Sequence, residues 1–169
     1  MRVREIQADP QALLSGHGDT PPTTAVGWLE RAVALNALHR LEPALEACHA
    51  AAEQAVREAD LAVEAVALTE TVKALAKLGD LPRALSVARV ALDRAVTLKD
   101  RHLECGLMVN VGMIHGYQDA PEPYAHFTEQ GLRIARELGD ERMSTHASVN
   151  LAGAYVRLHR FDEAEALYS

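Results

Sequence analysis

Two places in the chain set histidine beside cysteine, and with eight histidines in 169 residues metal chemistry is the first possibility to weigh. Cys48 and His49 are adjacent, while His102 and Cys105 stand three apart, a spacing that puts both on one face of a helix. A zinc site needs three or four such ligands, and neither pair brings the others, so no metal and no cofactor is expected. Two acidic pairs, Asp140-Glu141 and Asp162-Glu163, could exchange protons. Both fall where helices are predicted to start, and there a carboxylate offsets the helix dipole. No phosphate loop, nucleophile elbow or dinucleotide fingerprint is present, and the chain reads as non-enzymatic. Cys48 and Cys105, isolated within helical patterns, read as reduced structural thiols.

A different pattern emerges at long range. Glu30, Glu70, Asn110 and Asn150 follow one another at forty-residue intervals, as do Asp60, Asp100 and Asp140, and Leu41-Glu-Pro-Ala-Leu45 falls on Leu81-Pro-Arg-Ala-Leu85. A fixed period of this size marks stacked units, none of which can bury its apolar face alone. Apolar spacing predicts helices over 25–39, 43–59, 62–78, 82–98, 102–117, 122–138, 142–158 and from 162 onward, with no strand. Leu78-Gly-Asp-Leu-Pro82 explains one break between helices. Its glycine can take a left-handed cap, its aspartate accepts amide hydrogen bonds, and its proline sits in the next first turn. Leu138-Gly-Asp140 repeats the device. Connections this short make neighbours antiparallel, so each unit is a helical hairpin.

The last unit carries a recognisable pattern. Asn150-Leu-Ala-Gly-Ala-Tyr155, followed by Arg160-Phe-Asp-Glu-Ala164 and Tyr168, resembles the tetratricopeptide repeat, with a small residue and an aromatic on each helix. The columns run back through Ala152, Gly112, Val72 and Ala32, through Tyr155, His115, Leu75 and Leu35, and through Ala164, Ala84 and Ala44. The forty-residue spacing is similar to the extended repeats of kinesin light chain and of bacterial signalling regulators. This resemblance implies an all-α fold, an α-solenoid of antiparallel hairpins wound as a right-handed superhelix. Residues 1–24 are expected to form a lead-in, with Val3, Ile6, Leu13 and Leu14 as a short amphipathic piece broken near Pro10, and a Gly/Pro/Thr linker. Residues 25–169 are the repeat domain, in units of about 25–60, 62–100, 102–140 and 142–169, the last incomplete. Three departures stand out. Arg31 and Thr71 occupy a column that Val111 and Leu151 fill with apolar side chains. Tyr124 replaces the alanine of other units opposite Gly112, which predicts that this glycine makes room for the ring. Leu151, Tyr155, Leu158, Leu167 and Tyr168 are expected to leave an apolar patch where the last unit is unfinished.

The resemblance also implies a function. In this family the first helix of each unit lines an inner groove that binds peptides or partner helices. Transferred position by position, the groove residues are Glu30, Asn36, Glu70, Lys73, Lys77, Asn110, Met113, Tyr117, His146, Asn150, Gly153 and Arg157. Asn110 and Asn150 can each donate and accept, which suits a bound backbone, and Lys73, Lys77 and Arg157 could receive an acidic group. The expected partner is a protein or peptide. A formal charge of −7 with no basic run argues against nucleic acid. No stretch has signal-peptide or membrane-span length, so a cytoplasmic location is expected. Lysine occurs only at 73, 77 and 99 among many arginines, a bias of GC-rich bacterial coding. The alternatives are a sensory segment of a larger bacterial signalling protein (a diguanylate cyclase, histidine kinase or transcription regulator) and a domain that self-assembles as a homodimer through its open end.

Overall fold

The computed structural model describes residues 9–17 and 21–168, with the backbone alone for 15–17. Val3 and Ile6 of the expected amphipathic lead-in lie outside these residues. Among the described residues every regular element is a helix: α1 Pro10–His17, α2 Ala25–Ala37, α3 Leu41–Glu58, α4 Leu61–Leu78, α5 Leu81–Thr97, α6 Arg101–Tyr117, α7 Pro121–Glu137, α8 Glu141–Arg157 and α9 Phe161–Glu165. Pro10 opens α1, in the one helical turn where its missing N–H is not needed.

The period has a concrete cause in the turns. Backbone in the left-handed region recurs every twenty residues, at His39, Ala59, Gly79, Lys99, Asp119, Gly139 and His159, with φ between 54° and 82°. Each such residue reverses the chain after a helix and brings the next one back antiparallel. The recurring aspartates then start the first helix of each hairpin. Asp60 accepts from the amides of Ala62 and Val63, Asp100 from Leu103 and Asp140 from Met143, while Thr24 does the same for Gly27 ahead of α2. Each cap satisfies amides that the helix itself leaves unbonded.

Two compact units result, divided between Arg94 and Ala95 within α5. In the first, α2 packs on α3, α3 on α4, and α2 also on α4, the first helix of the following hairpin. Leu29 and Val63 are buried among Ala25, Ala51, Ala55 and Ala67, while Leu14 of α1 and Trp28 pack on Ala32, Leu35, Ala44, Ala47 and Cys48. Alanine dominates these contacts because helices this close leave little space between their backbones.

In the second unit α6 packs on α7, α7 on α8, and α6 also on α8. Its largest cluster joins Val109, Tyr124, Leu132, Leu151, Ala152 and Tyr155. Leu151 and Tyr155 are thus buried, contrary to the expected open patch, because Ala164 and Leu167 fold back over them. Tyr168 is exposed, as is Phe161.

The pairing of Tyr124 with Gly112 needs correcting by one helical turn. It is Gly116 that leaves room for the ring: a Cβ there would lie 2.9 Å from two ring carbons of Tyr124. Gly112 instead admits the α7 backbone. A Cβ on it would press into the Thr128 hydroxyl and stand 3.2 Å from the Tyr124 carbonyl oxygen.

Candidate functional site

The expected groove residues lie on α2 and α4 in the first unit and on α6 and α8 in the second. In the first unit the structure brings most of them together, but largely with each other. Asn36 and Glu70 are only 3% and 7% exposed. The Asn36 amide nitrogen donates to the Glu70 carboxylate at 2.9 Å and to the Glu70 carbonyl at 3.0 Å. Lys73 closes on the other carboxylate oxygen at 2.6 Å. Lys77 donates to the Asn36 carbonyl at 3.2 Å. Glu30 is half-buried on α2. This face is a knot of mutually satisfied groups, with the Asn36 side-chain oxygen left buried and unbonded among the described residues.

The second unit differs. Asn110, Met113 and Gly153 are half-buried, His146 and Arg157 are exposed, and the Tyr117 side chain stands 59% exposed. Met113, Tyr117, Asn150 and Arg157 converge with Gly116 and Tyr124 on a pocket of about 100 Å³. Its construction starts from two glycines. The Tyr124 ring leaves α7 over Gly116, and its hydroxyl passes Gly153, where an added Cβ would touch the oxygen at 3.5 Å. The hydroxyl therefore reaches α8 and donates to the Asn150 side-chain oxygen at 3.2 Å. Asn150 in turn donates to its own helix at the His146 carbonyl, 2.9 Å away. Burial raises the Tyr124 hydroxyl's pKa above its ordinary value, against the opposing charge of Arg157, so the phenol keeps its proton at neutral pH.

Arg157 is also held. Its guanidinium carbon lies 5.7 Å from the centre of the Tyr124 ring, and one N–H is bonded to the Gly116 carbonyl at the end of α6. Lys77 bonds the Asn36 carbonyl near the end of α2 in the same way, each cation reaching back 41 residues. Each of these carbonyls also accepts a turn amide, from His39 and Asp119 respectively, and offers the cation its second lone pair at the negative end of the helix dipole, so both cations staple successive first helices. Arg157 keeps further donors after this contact, since a guanidinium has five.

The pocket thus has an apolar wall of Met113, Tyr117 and the Tyr124 ring facing a polar wall of Asn150 and Arg157. It is large enough for one side chain, and its polar wall can bind and orient one. Among the described residues no three metal-ligating side chains gather; His102 lies instead 3.6 Å from Asp140. No described helix is long and apolar enough to cross a membrane. Tyr124 and Gly116 are the site residues that sequence reasoning missed. Their signal was present in the pairing of a tyrosine with nearby glycines, but was read one turn out of register.

No protein-family model matches this sequence, and no curated protein does. Solved structures do. The apo form of RapI superposes with a TM-score of 0.78 at 11% identity, over 91% of this chain and 57% of that one. A Rap protein complexed with competence and sporulation factor gives 0.80 at 14% identity, over 85% and 40%. A STAND signal-transduction ATPase with a tetratricopeptide-repeat sensor, from Pyrococcus horikoshii, gives 0.74 at 18%, over 93% and 25%. The chain therefore spans 57% and 40% of the two Rap structures and a quarter of the ATPase. At these identities the likeness concerns architecture, and the architecture of this chain is the tetratricopeptide-like α-solenoid, built of antiparallel helical hairpins.

Proposed function

We propose that this chain is a non-catalytic binding module that takes up a segment of a protein or peptide along the faces of its first helices. The observation that carries the reading is the pocket of the second unit, where Tyr124, Asn150 and Arg157 are held in place by one another and Tyr117 is left exposed beside them. Pre-positioned polar groups next to an exposed aromatic are what a binding hot spot requires, because little further ordering is needed on contact. Asn110, half-buried on the same face, has no side-chain partner among the described residues and is free to meet a partner's backbone. The Rap structure solved with competence and sporulation factor supports ligand capture by this architecture.

A pull-down with the 169-residue chain as bait, followed by calorimetry on the captured partner, tests the proposal. Tyr117→Ala and Asn110→Ala should each weaken binding, the former by about tenfold or more, roughly 1.4 kcal/mol. Arg133→Ala, on the exposed side of α7, should leave affinity unchanged. Loss of binding in Arg133→Ala with none in Tyr117→Ala would move the site to the second helices.

A second reading is favoured by the Pyrococcus horikoshii structure, in which such repeats are a sensor. In it this chain is the sensing segment of a longer signalling protein, and ligand capture at the same face is its input.

A further inference from the structure

The first unit contains a second concavity, unrelated to the groove face, of about 420 Å³ between α1, α2 and the start of α3. Its apolar surface comes from Leu14, Trp28 and Leu35, and its charged surface from Arg31, Arg40 and Glu46. Arg31 is the unusual member. It occupies the column in which Val111 and Leu151 are buried apolar residues of the second unit, and it is itself half-buried. A partly desolvated guanidinium is costly unless something answers its charge. Among the described residues neither Arg31 nor Arg40 makes an ion pair, with Glu46 or with any other carboxylate. The chain as a whole carries −7, so two arginines with no ion pair among the described residues that converge on one cavity run against its general charge.

We infer that this cavity binds a small amphipathic organic anion, with a carboxylate or phosphate head against Arg31 and Arg40 and an apolar body against Trp28, Leu14 and Leu35. The volume lies within the ordinary range for small-molecule sites, and more of the accessible lining is polar than apolar, which suits a charged head held beside a short apolar body. Arginine suits either head, because its fork of N–H groups matches two oxygens at once. Glu46 at the edge disfavours a second negative charge beyond the head and so selects a molecule with one anionic end.

Trp28 is the only tryptophan in the chain, so all tryptophan fluorescence comes from a residue that lines this cavity. Octanoate, octyl phosphate, octanol and octyltrimethylammonium are titrated into the full chain, each below its micellar concentration. The proposal expects saturable changes with one or both anions, binding of octanol at least about tenfold weaker, and no saturation with the cation. The better of the two anions identifies the head group. Arg31→Leu, which installs the residue found at Leu151, and Arg31→Gln, which keeps polarity without charge, should each weaken the anion at least about tenfold, with helical circular dichroism retained. Arg31→Lys should lose less than either. Equal binding of octanol and the anions, saturation unchanged in both neutral variants, or no saturable response to either anion would overturn the assignment.

Discussion

Replacing Gly112 with alanine separates two effects that usually oppose each other in a helix. Alanine is the better helix former by about 0.5–1 kcal/mol, so an unobstructed glycine in a helix interior should gain stability on substitution. Gly106, on the same helix, is unobstructed, with the nearest atom to an added Cβ being the Met143 terminal methyl at 3.8 Å. At Gly112 the added carbon would press into the Thr128 hydroxyl and meet the Tyr124 carbonyl oxygen at 3.2 Å and the Thr128 nitrogen at 3.3 Å. A side chain can rotate away, but backbone atoms yield only if α7 moves, and overpacking of this kind costs about 1–3 kcal/mol. The net expectation is a loss of about 1–2 kcal/mol for Gly112→Ala and a gain of about 0.5–1 kcal/mol for Gly106→Ala. Urea unfolding at 25 °C, with linear extrapolation, measures both. The background Thr128→Ala sharpens the test, since it removes a buried hydroxyl with no partner and should relieve part of the Gly112→Ala penalty but not the backbone part. If Gly112→Ala proves as stable as Gly106→Ala, the close approach of α6 and α7 is not what that glycine serves.

The turns and the tyrosines supply further expectations. Ala59 holds φ 55° at the end of α3, a strained value for a residue with a Cβ, so Ala59→Gly should raise stability by about 0.5–1 kcal/mol in thermal melts, and Gly79→Ala should lower it by about 1 kcal/mol. Tyr155 is raised to about 12 by burial and by the Glu129 carboxylate that its hydroxyl bonds at 2.7 Å. The unfolded tyrosine ionises near its ordinary value of roughly 10, so above that pH the unfolded state binds fewer protons, and this contribution to stability is lost as pH rises from about 10 through 12. Urea midpoints measured across that range should fall less steeply in Tyr155→Phe than in the parent.

The fold was legible because the signals that end and start helices recur. Asp60, Asp100 and Asp140 cap successive first helices, and that recurrence is visible without any structure. Boundaries were less legible. Most helices begin one residue before their predicted starts, because Leu61, Leu81, Arg101, Pro121 and Glu141 follow the turn directly and join the first helical turn. Five of the seven left-handed turns carry no glycine, so only their period betrays them.

The bonds of the candidate site were not legible in the sequence, and the reason lies in which columns exchange size. Glu70 and Asn150 hold equivalent places two repeats apart, and each is tied to a preceding helix by a different route. In the first unit Asn36 supplies the donor, and the following helix carries a small Ala44. In the second, the place of Asn36 is taken by Gly116 and that of Ala44 by Tyr124, so the ring enters the space and its hydroxyl reaches Asn150. The bonded pairs lie 34 and 26 residues apart, diagonals that a comparison at forty-residue offsets cannot display. The exchange also decides what the two faces can do. Asn36 places a polar amide where it buries Glu70 and leaves an oxygen unbonded, whereas Gly116 and Tyr124 anchor Asn150 while opening a cavity beside it. On the proposed binding role, a segment would meet preformed space in the second unit, whereas in the first it would have to break an existing network to gain the same contacts.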